Sequence, residues 1–226
     1  MFRHCVLAAF GLLLSVSAVK AETPNPAPAP AAADSSAQEK MEDPQVGDHW
    51  TYEFTDNISG DVKSISTNTV TDLTDSQIGI RTTWAGHSNS NSQTYDRSWN
   101  LLNSGVHRYS PNDGTGIQAP LAAGRTWSVK STDINSTSGF IAKRAGTSKV
   151  IAQESVTTPA GTFDTLKIET SFQVQNTNNV TDKAQFVIQT WYAPAIDHWV
   201  KRSVTSRYHG RVTANNTVEL VDYGRR

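Results

Sequence analysis

Apolar and polar residues alternate along most of this chain, and no window sustains the three-and-four spacing by which a helix buries one face. Trp50, Tyr52 and Phe54 are interleaved with Thr51, Glu53 and Thr55, and Ile78, Ile80 and Trp84 with Gly79, Arg81 and Thr83. The pattern returns in Leu166, Ile168, Phe172 and Val174, in Phe186 and Ile188 leading to Tyr192, and in Val200 and Val204 leading to Tyr208. A strand turns successive side chains to opposite faces, so each run has one face for a core and one for water. Clusters of Asn, Ser, Gly and Asp at 57–61, 87–92, 111–116, 135–139 and 176–179 supply the turns between runs. The expectation is a single antiparallel domain, all-β or nearly so, of about nine to eleven strands: a sandwich, a curved open sheet or a barrel.

The domain is expected over 45–226, long enough to bury a core without disulfide staples. Before it, residues 1–21 read as a signal peptide: Arg3 and His4, an apolar run from Cys5 to Val19, then a small-residue exit at Ala21. That run is shorter than the roughly 20 residues of a permanent transmembrane helix, and no later stretch is long and apolar enough to span a bilayer as a helix. Residues 22–44 are rich in Ala, Pro and Ser, with Pro24, Pro26, Pro28 and Pro30 alternating, and read as a disordered linker. The implied location is the periplasm or the cell exterior. Cys5 is the single cysteine and leaves with the leader, which excludes thiol catalysis and Cys-based metal sites.

Removing Arg3 and Lys20 leaves 18 basic against 21 acidic residues, a net charge of −3. The cations are scattered, with pairs such as Lys143-Arg144 and Lys201-Arg202 that read as solvated strand ends. A nucleic-acid partner would demand a clustered positive surface, so none is expected. One internal echo stands out: Val46-Gly47-Asp48-His49-Trp50-Thr51-Tyr52 parallels Ala123-Gly124-Arg125-Thr126-Trp127-Ser128-Val129. Each places Gly three residues before Trp at a strand entrance, which fits two related halves and fits a coincidence of strand grammar equally.

In Val156 to Asp164, Pro159 suits the second position of a tight turn and Gly161 the fourth, giving a hairpin corner. Further on come Gln189-Thr190-Trp191-Tyr192-Ala193-Pro194 and then Trp199-Val200-Lys201-Arg202. Together with Gly47-Asp48-His49-Trp50-Thr51-Tyr52, this order resembles a secreted and periplasmic family of unknown function, in part TapB-like and linked to the LolA and LolB half-barrel fold. The resemblance implies a curved antiparallel sheet with a concave apolar face, and it carries over no catalytic residue. The chain departs from that family where a Gly-rich turn is expected after Pro194, since Ala195-Ile196-Asp197-His198-Trp199 stands there.

Chemistry-bearing constellations are sparse. His49, His87, His107, His198 and His209 lack metal-ligand spacing, although Asp-His-Trp occurs twice, at Asp48-His49-Trp50 and Asp197-His198-Trp199. No serine sits in a nucleophile elbow and no Gly-rich phosphate loop is present. No catalytic residue, metal site or cofactor is expected. Trp50, Trp84, Trp127 and Trp191 lie in strand patterns and are expected in the core. Tyr95, Arg97 and Trp99 share one face of an expected strand with Leu101, and are the candidate ligand-binding residues, as a stripe at a cleft mouth. The expected partner is an apolar small molecule or an envelope protein. The reading is of a non-enzymatic envelope protein, with an interaction module and a hydrolase as alternatives.

Overall fold

The computed structural model describes residues 41–225, so the expected leader and the expected linker up to residue 40 lie outside the described residues. Twelve strands follow in chain order: β1 (His49–Asp56), β2 (Asp61–Leu73), β3 (Gln77–Trp84), β4 (Ser90–Asp96), β5 (Leu101–Ser104), β6 (His107–Ser110), β7 (Thr126–Asn135), β8 (Ile141–Thr158), β9 (Gly161–Asn176), β10 (Lys183–Ala193), β11 (His198–Tyr208) and β12 (Arg211–Gly224). Each pairs antiparallel with its sequence neighbours, and β12 pairs with β1 from His49↔Gly224 to Asp56↔Asn216. The result is a closed up-and-down barrel.

Closure corrects the expected open half-barrel or sandwich: the β1–β12 pairing leaves the sheet without a free edge. The count exceeds nine to eleven because β5 and β6 have 4 residues each, too few to display a period. Thr158↔Gly161 closes the hairpin at Pro159, as the turn chemistry requires. Met41, inside the stretch read as linker, is fully buried in the core, and its N–H donates to Ala195 O at 2.8 Å.

Residues opposite one another in a pair share a face. Trp50, Tyr52 and Phe54 thus continue inward across β2 as Asn68, Ser66 and Ser64. The outer face carries Thr51, Glu53, Lys149, Glu169, Lys201 and Glu219. A charged outer wall is the reverse of the apolar band of a membrane-spanning barrel. Among the described residues no helix is long and apolar enough to cross a membrane.

The Gly-to-Trp echo marks two structurally equivalent halves. Gly47 and Gly124 both adopt positive φ, 99° and 85°. Gly47 N donates to Val70 O and Gly124 N to Val150 O; Val70 N donates to Asp48 O and Val150 N to Arg125 O, all four at 2.9 Å. A bulge follows Val70 and another follows Val150. At the far side of each half, Tyr95↔Leu101 and Tyr192↔Trp199 flank equivalent bulges. The pairings of β1–β5 therefore match those of β7–β11 in register, up to a bulge after Phe54 that β7 lacks. Trp50 corresponds to Trp127, Ser64 to Arg144, Asn68 to Ser148, Thr82 to Thr170, and Ser104 to Arg202. Even a cross-strand bond repeats: Thr82 Oγ1 to Asn68 Oδ1 at 2.7 Å, and Ser148 Oγ with Thr170 Oγ1 at 2.8 Å.

Candidate functional site

In an up-and-down barrel alternate turns lie at opposite ends. One end, the floor, gathers the connections after β2, β4, β6, β8 and β10. The other, the mouth, gathers those after β1, β3, β5, β7, β9 and β11.

The floor is closed by aromatic rings. His198 stacks on Trp99 with centroids 4.4 Å apart, and meets Trp50 edge-on at 4.3 Å. Tyr52 lies against Trp199 and donates its hydroxyl to Trp199 O at 2.8 Å. Met41, Ile78, Ile196 and Leu220 complete the packing. Burial, reinforced by the nearby Arg202 cation, holds the His198 imidazole well below its ordinary range and therefore neutral. The two Asp-His-Trp motifs thus converge through Trp50 and His198, not as a pair of histidines. His49 faces Asp222 instead, Nε2 to Oδ2 at 3.3 Å. Asp197 accepts the Tyr192 hydroxyl at 2.5 Å. It takes φ of 43° after the short 3-10 turn at Pro194–Ile196, the backbone role that a Gly-rich turn would fill.

Above the floor the inner wall changes character. Phe54, Ile188, Val204 and Val218 face inward by register, since Arg202↔Val218↔Phe54 and Val204↔Ile188 are opposed to buried neighbours such as Thr190 and Ile168. All four stay half-buried. An inward residue of a closed wall keeps exposure only where the lumen is open, so the described residues leave the lumen open beside β1 and β10–β12 and pack it on the β7–β9 side, where Ser131, Asp133 and Phe172 are buried.

Two arginines stand on that inner wall. Arg144 is braced: its guanidinium lies 3.9 Å from Asp113 and 3.5 Å from Asp133, and over the Tyr109 ring at 4.5 Å. Arg202 lies 4.0 Å over the Trp199 ring, and its Nε donates to Thr190 Oγ1 at 3.2 Å. Among the described residues no carboxylate lies within ion-pair distance of it. Burial pulls its pKa down, opposed by Tyr95, Asp113 and Tyr52. This corrects the reading of Lys143-Arg144 and Lys201-Arg202 as solvated strand ends. Consecutive residues on a strand face opposite sides, so one cation of each pair must point inward.

The candidate ligand-binding residues do not form a stripe. β4 stops at Asp96, and a turn carrying Trp99 at φ 59° separates it from β5. Tyr95 packs on Trp99 at the floor, 5.7 Å between centroids. Arg97 stands outside, 3.6 Å from Asp43, where with Leu73, Thr74 and Asp75 it lines a cavity of about 330 Å³. Trp50, Trp127 and Trp191 are buried as expected, and Trp84 is half-buried. Among the described residues no group of three or more His, Cys, Asp or Glu forms a metal-ligand set.

The mouth has its own pattern. Ile58, Val62, Val106, Phe140, Val180 and Val212, all exposed, belong to the hairpin ends on that side. Lys63, Arg108, Lys143, Lys183, Arg207 and Arg211 accompany them, against Asp56, Asp61 and Asp182.

A family model described as DUF3108-like matches residues 122–203, much of the second half of the barrel. No curated protein matches the sequence significantly. A crystal structure of a candidate lipoprotein from Parabacteroides distasonis is similar at 15% identity and a TM-score of 0.52, covering 82% of this chain and 99% of that one. A candidate exported protein of Bacteroides fragilis with a YmcC-like fold gives 13% and 0.47, covering 83% and 100%. The hypothetical lipoprotein YmcC of Escherichia coli gives 11% and 0.47, covering 79% and 86%. At such identities the first likeness concerns the fold alone.

Proposed function

We propose that this chain is an exported envelope protein that holds a lipid-like, apolar ligand in the open lumen of its barrel, as a binder and not as a catalyst. The observation that carries the reading is the half-buried inner row of Phe54, Ile188, Val204 and Val218 above a sealed aromatic floor. An apolar stretch of wall left open to water is costly by roughly 25 cal/mol per Å² of apolar surface, and a chain that covers it regains that amount. Export rests on the leader-like segment at 1–21 and on the descriptions of the similar proteins as lipoproteins or exported proteins. The TapB-like and LolA-like features rest on the sequence motifs alone.

The test is native mass spectrometry after gentle purification, with titration of a fluorescent fatty acid. The expected result is a co-purified lipid mass and a saturable signal. An empty barrel with no saturable uptake would overturn the reading in favour of an interaction module.

A further inference from the structure

We propose that Arg202 is the anchor for an acidic headgroup, so that the lumen takes a single-chain amphiphile with its carboxylate against Arg202 and its chain running toward the mouth. This rests on the lumen reading above and names the ligand class within it. Three observations carry it. First, the cation stands inside the wall, over Trp199, with one neutral hydrogen-bond partner and no carboxylate in reach among the described residues. Arg202 is half-buried, and a partly desolvated charge without a counter-charge in ion-pair reach is costly, so an anion entering the lumen gains what the fold withholds.

Second, the wall does not require it. The equivalent position in the first half is Ser104, which sits opposite Gln93 as Arg202 sits opposite Thr190, in the same bulged register. Third, the inner residues between Arg202 and the mouth include Val204, Ile188 and Phe186, so apolar surface lies on the mouth side and the closed floor lies on the other. From Arg202 to Tyr208 the strand rises by roughly 20 Å, room for an extended acyl chain.

The test is calorimetric titration of the purified chain with dodecanoate, dodecan-1-ol and dodecyltrimethylammonium, each below its micellar concentration. Wild type is expected to bind dodecanoate about 30-fold more tightly than the alcohol. Arg202→Ser, which copies the first half, and Arg202→Met should bring that ratio to about one while the affinity for the alcohol holds. Both should raise the melting temperature of the unliganded protein, because a half-buried charge with no ion-pair partner among the described residues is removed. Equal affinity for acid and alcohol in wild type would overturn the anchor and leave the lumen reading standing, and that comparison needs no variant to fold. So would a ratio unchanged in Arg202→Ser, or a lowered melting temperature. Failure of all three probes to bind would overturn both readings.

An independent observation concerns the mouth. The geometry points to the rim as a docking surface for an anionic lipid bilayer: Ile58, Val106, Phe140, Val180 and Val212 project from five separate hairpins around one opening. Exposed apolar residues are ordinary when scattered, but a ring at one end of a barrel is a patch. The charge beside it is complementary to an acidic surface, with Arg108, Lys143, Lys183, Arg207 and Arg211 outnumbering Asp56, Asp61 and Asp182. In sedimentation with vesicles, binding to phosphatidylglycerol–phosphatidylethanolamine should exceed binding to phosphatidylcholine by about 10-fold and fall with salt. The double variant Ile58→Asp, Val180→Asp, at side chains 65% and 61% exposed, should lose most of that binding with an unchanged melting temperature. No preference for the anionic vesicles, or a double variant that sediments like wild type, would overturn it.

Discussion

Strands β1–β5 and β7–β11 share two bulges and their left-handed residues, yet the inner positions filled by Ser64 and Ser104 in the first half hold Arg144 and Arg202 in the second. In the first half the inward polar groups satisfy one another without charge: Thr82 donates to Asn68, and the Tyr95 hydroxyl and Gln93 amide continue the chain of bonds to Ser104. The same wall can thus be closed with neutral residues. What the second half adds is two cations, and their surroundings differ: Arg144 meets two buried acids, whereas Arg202 meets an aromatic face and a hydroxyl. The first is a structural brace and the second a charge kept available.

The sharpest way to break this comparison is to give each arginine the residue of its counterpart. Arg144→Ser leaves the Asp113 and Asp133 carboxylates, whose side chains are 8% and 10% exposed, without their shared cation. Removing one partner of such a buried cluster costs about 3–5 kcal/mol. Urea unfolding should therefore show a large fall in midpoint for Arg144→Ser, opposite in sign to the effect of Arg202→Ser. Equal destabilisation by the two substitutions would mean that both arginines are braces and that the contrast between them is false.

Much of the fold was legible because period-two alternation and turn chemistry are local properties. The hairpin at Pro159 and the strands around Trp50 and Ile80 follow from a few adjacent residues. Closure was not legible, since it depends on β1 meeting β12, and nothing near His49 announces Gly224 as its partner. β5 and β6 escaped because four residues cannot show a period, and the stripe through Tyr95, Arg97 and Trp99 failed because Trp99 takes a left-handed turn that a Trp does not advertise. The site was missed for a different reason. Arg144 and Arg202 each follow a lysine and so read as half of a surface pair, while strand alternation requires one of each pair to face inward. The Gly-to-Trp echo, too short to establish a repeat by itself, marked the point where the two halves coincide.

A third way to hold an ionisable group inside is to neutralise it, and Asp197 tests whether the second half uses that as well. It occupies the left-handed position that Trp99 fills in the first half, with Asp197 N donating to Pro194 O as Trp99 N does to Asp96 O. Burial raises its carboxyl from 3.8 to about 6, against the opposing hydrogen bond from Tyr192. The unfolded chain ionises this group from about 3.8 upward while the folded protein keeps its proton, so stability is lost as pH rises from 3.8 to about 6 and is regained on acidification. The neighbouring His198 has the opposite slope. Its folded pKa lies below the ordinary 6.5, so stability is lost as pH falls through 6.5, where only the unfolded chain takes up the proton. In wild type the two slopes offset each other. Asp197→Asn keeps an acceptor for the Tyr192 hydroxyl and a residue tolerant of positive φ, and it removes one slope. It should raise stability near neutral pH by about 1–2 kcal/mol and make the loss between about pH 6.5 and 4.5 steeper than in wild type, as read from thermal melts across that interval. A variant whose melting temperature tracks that of wild type at every pH would show that burial does not hold the proton on Asp197 between pH 3.8 and about 6, and the second half would then carry a second uncompensated charge beside Arg202 instead of a silenced one.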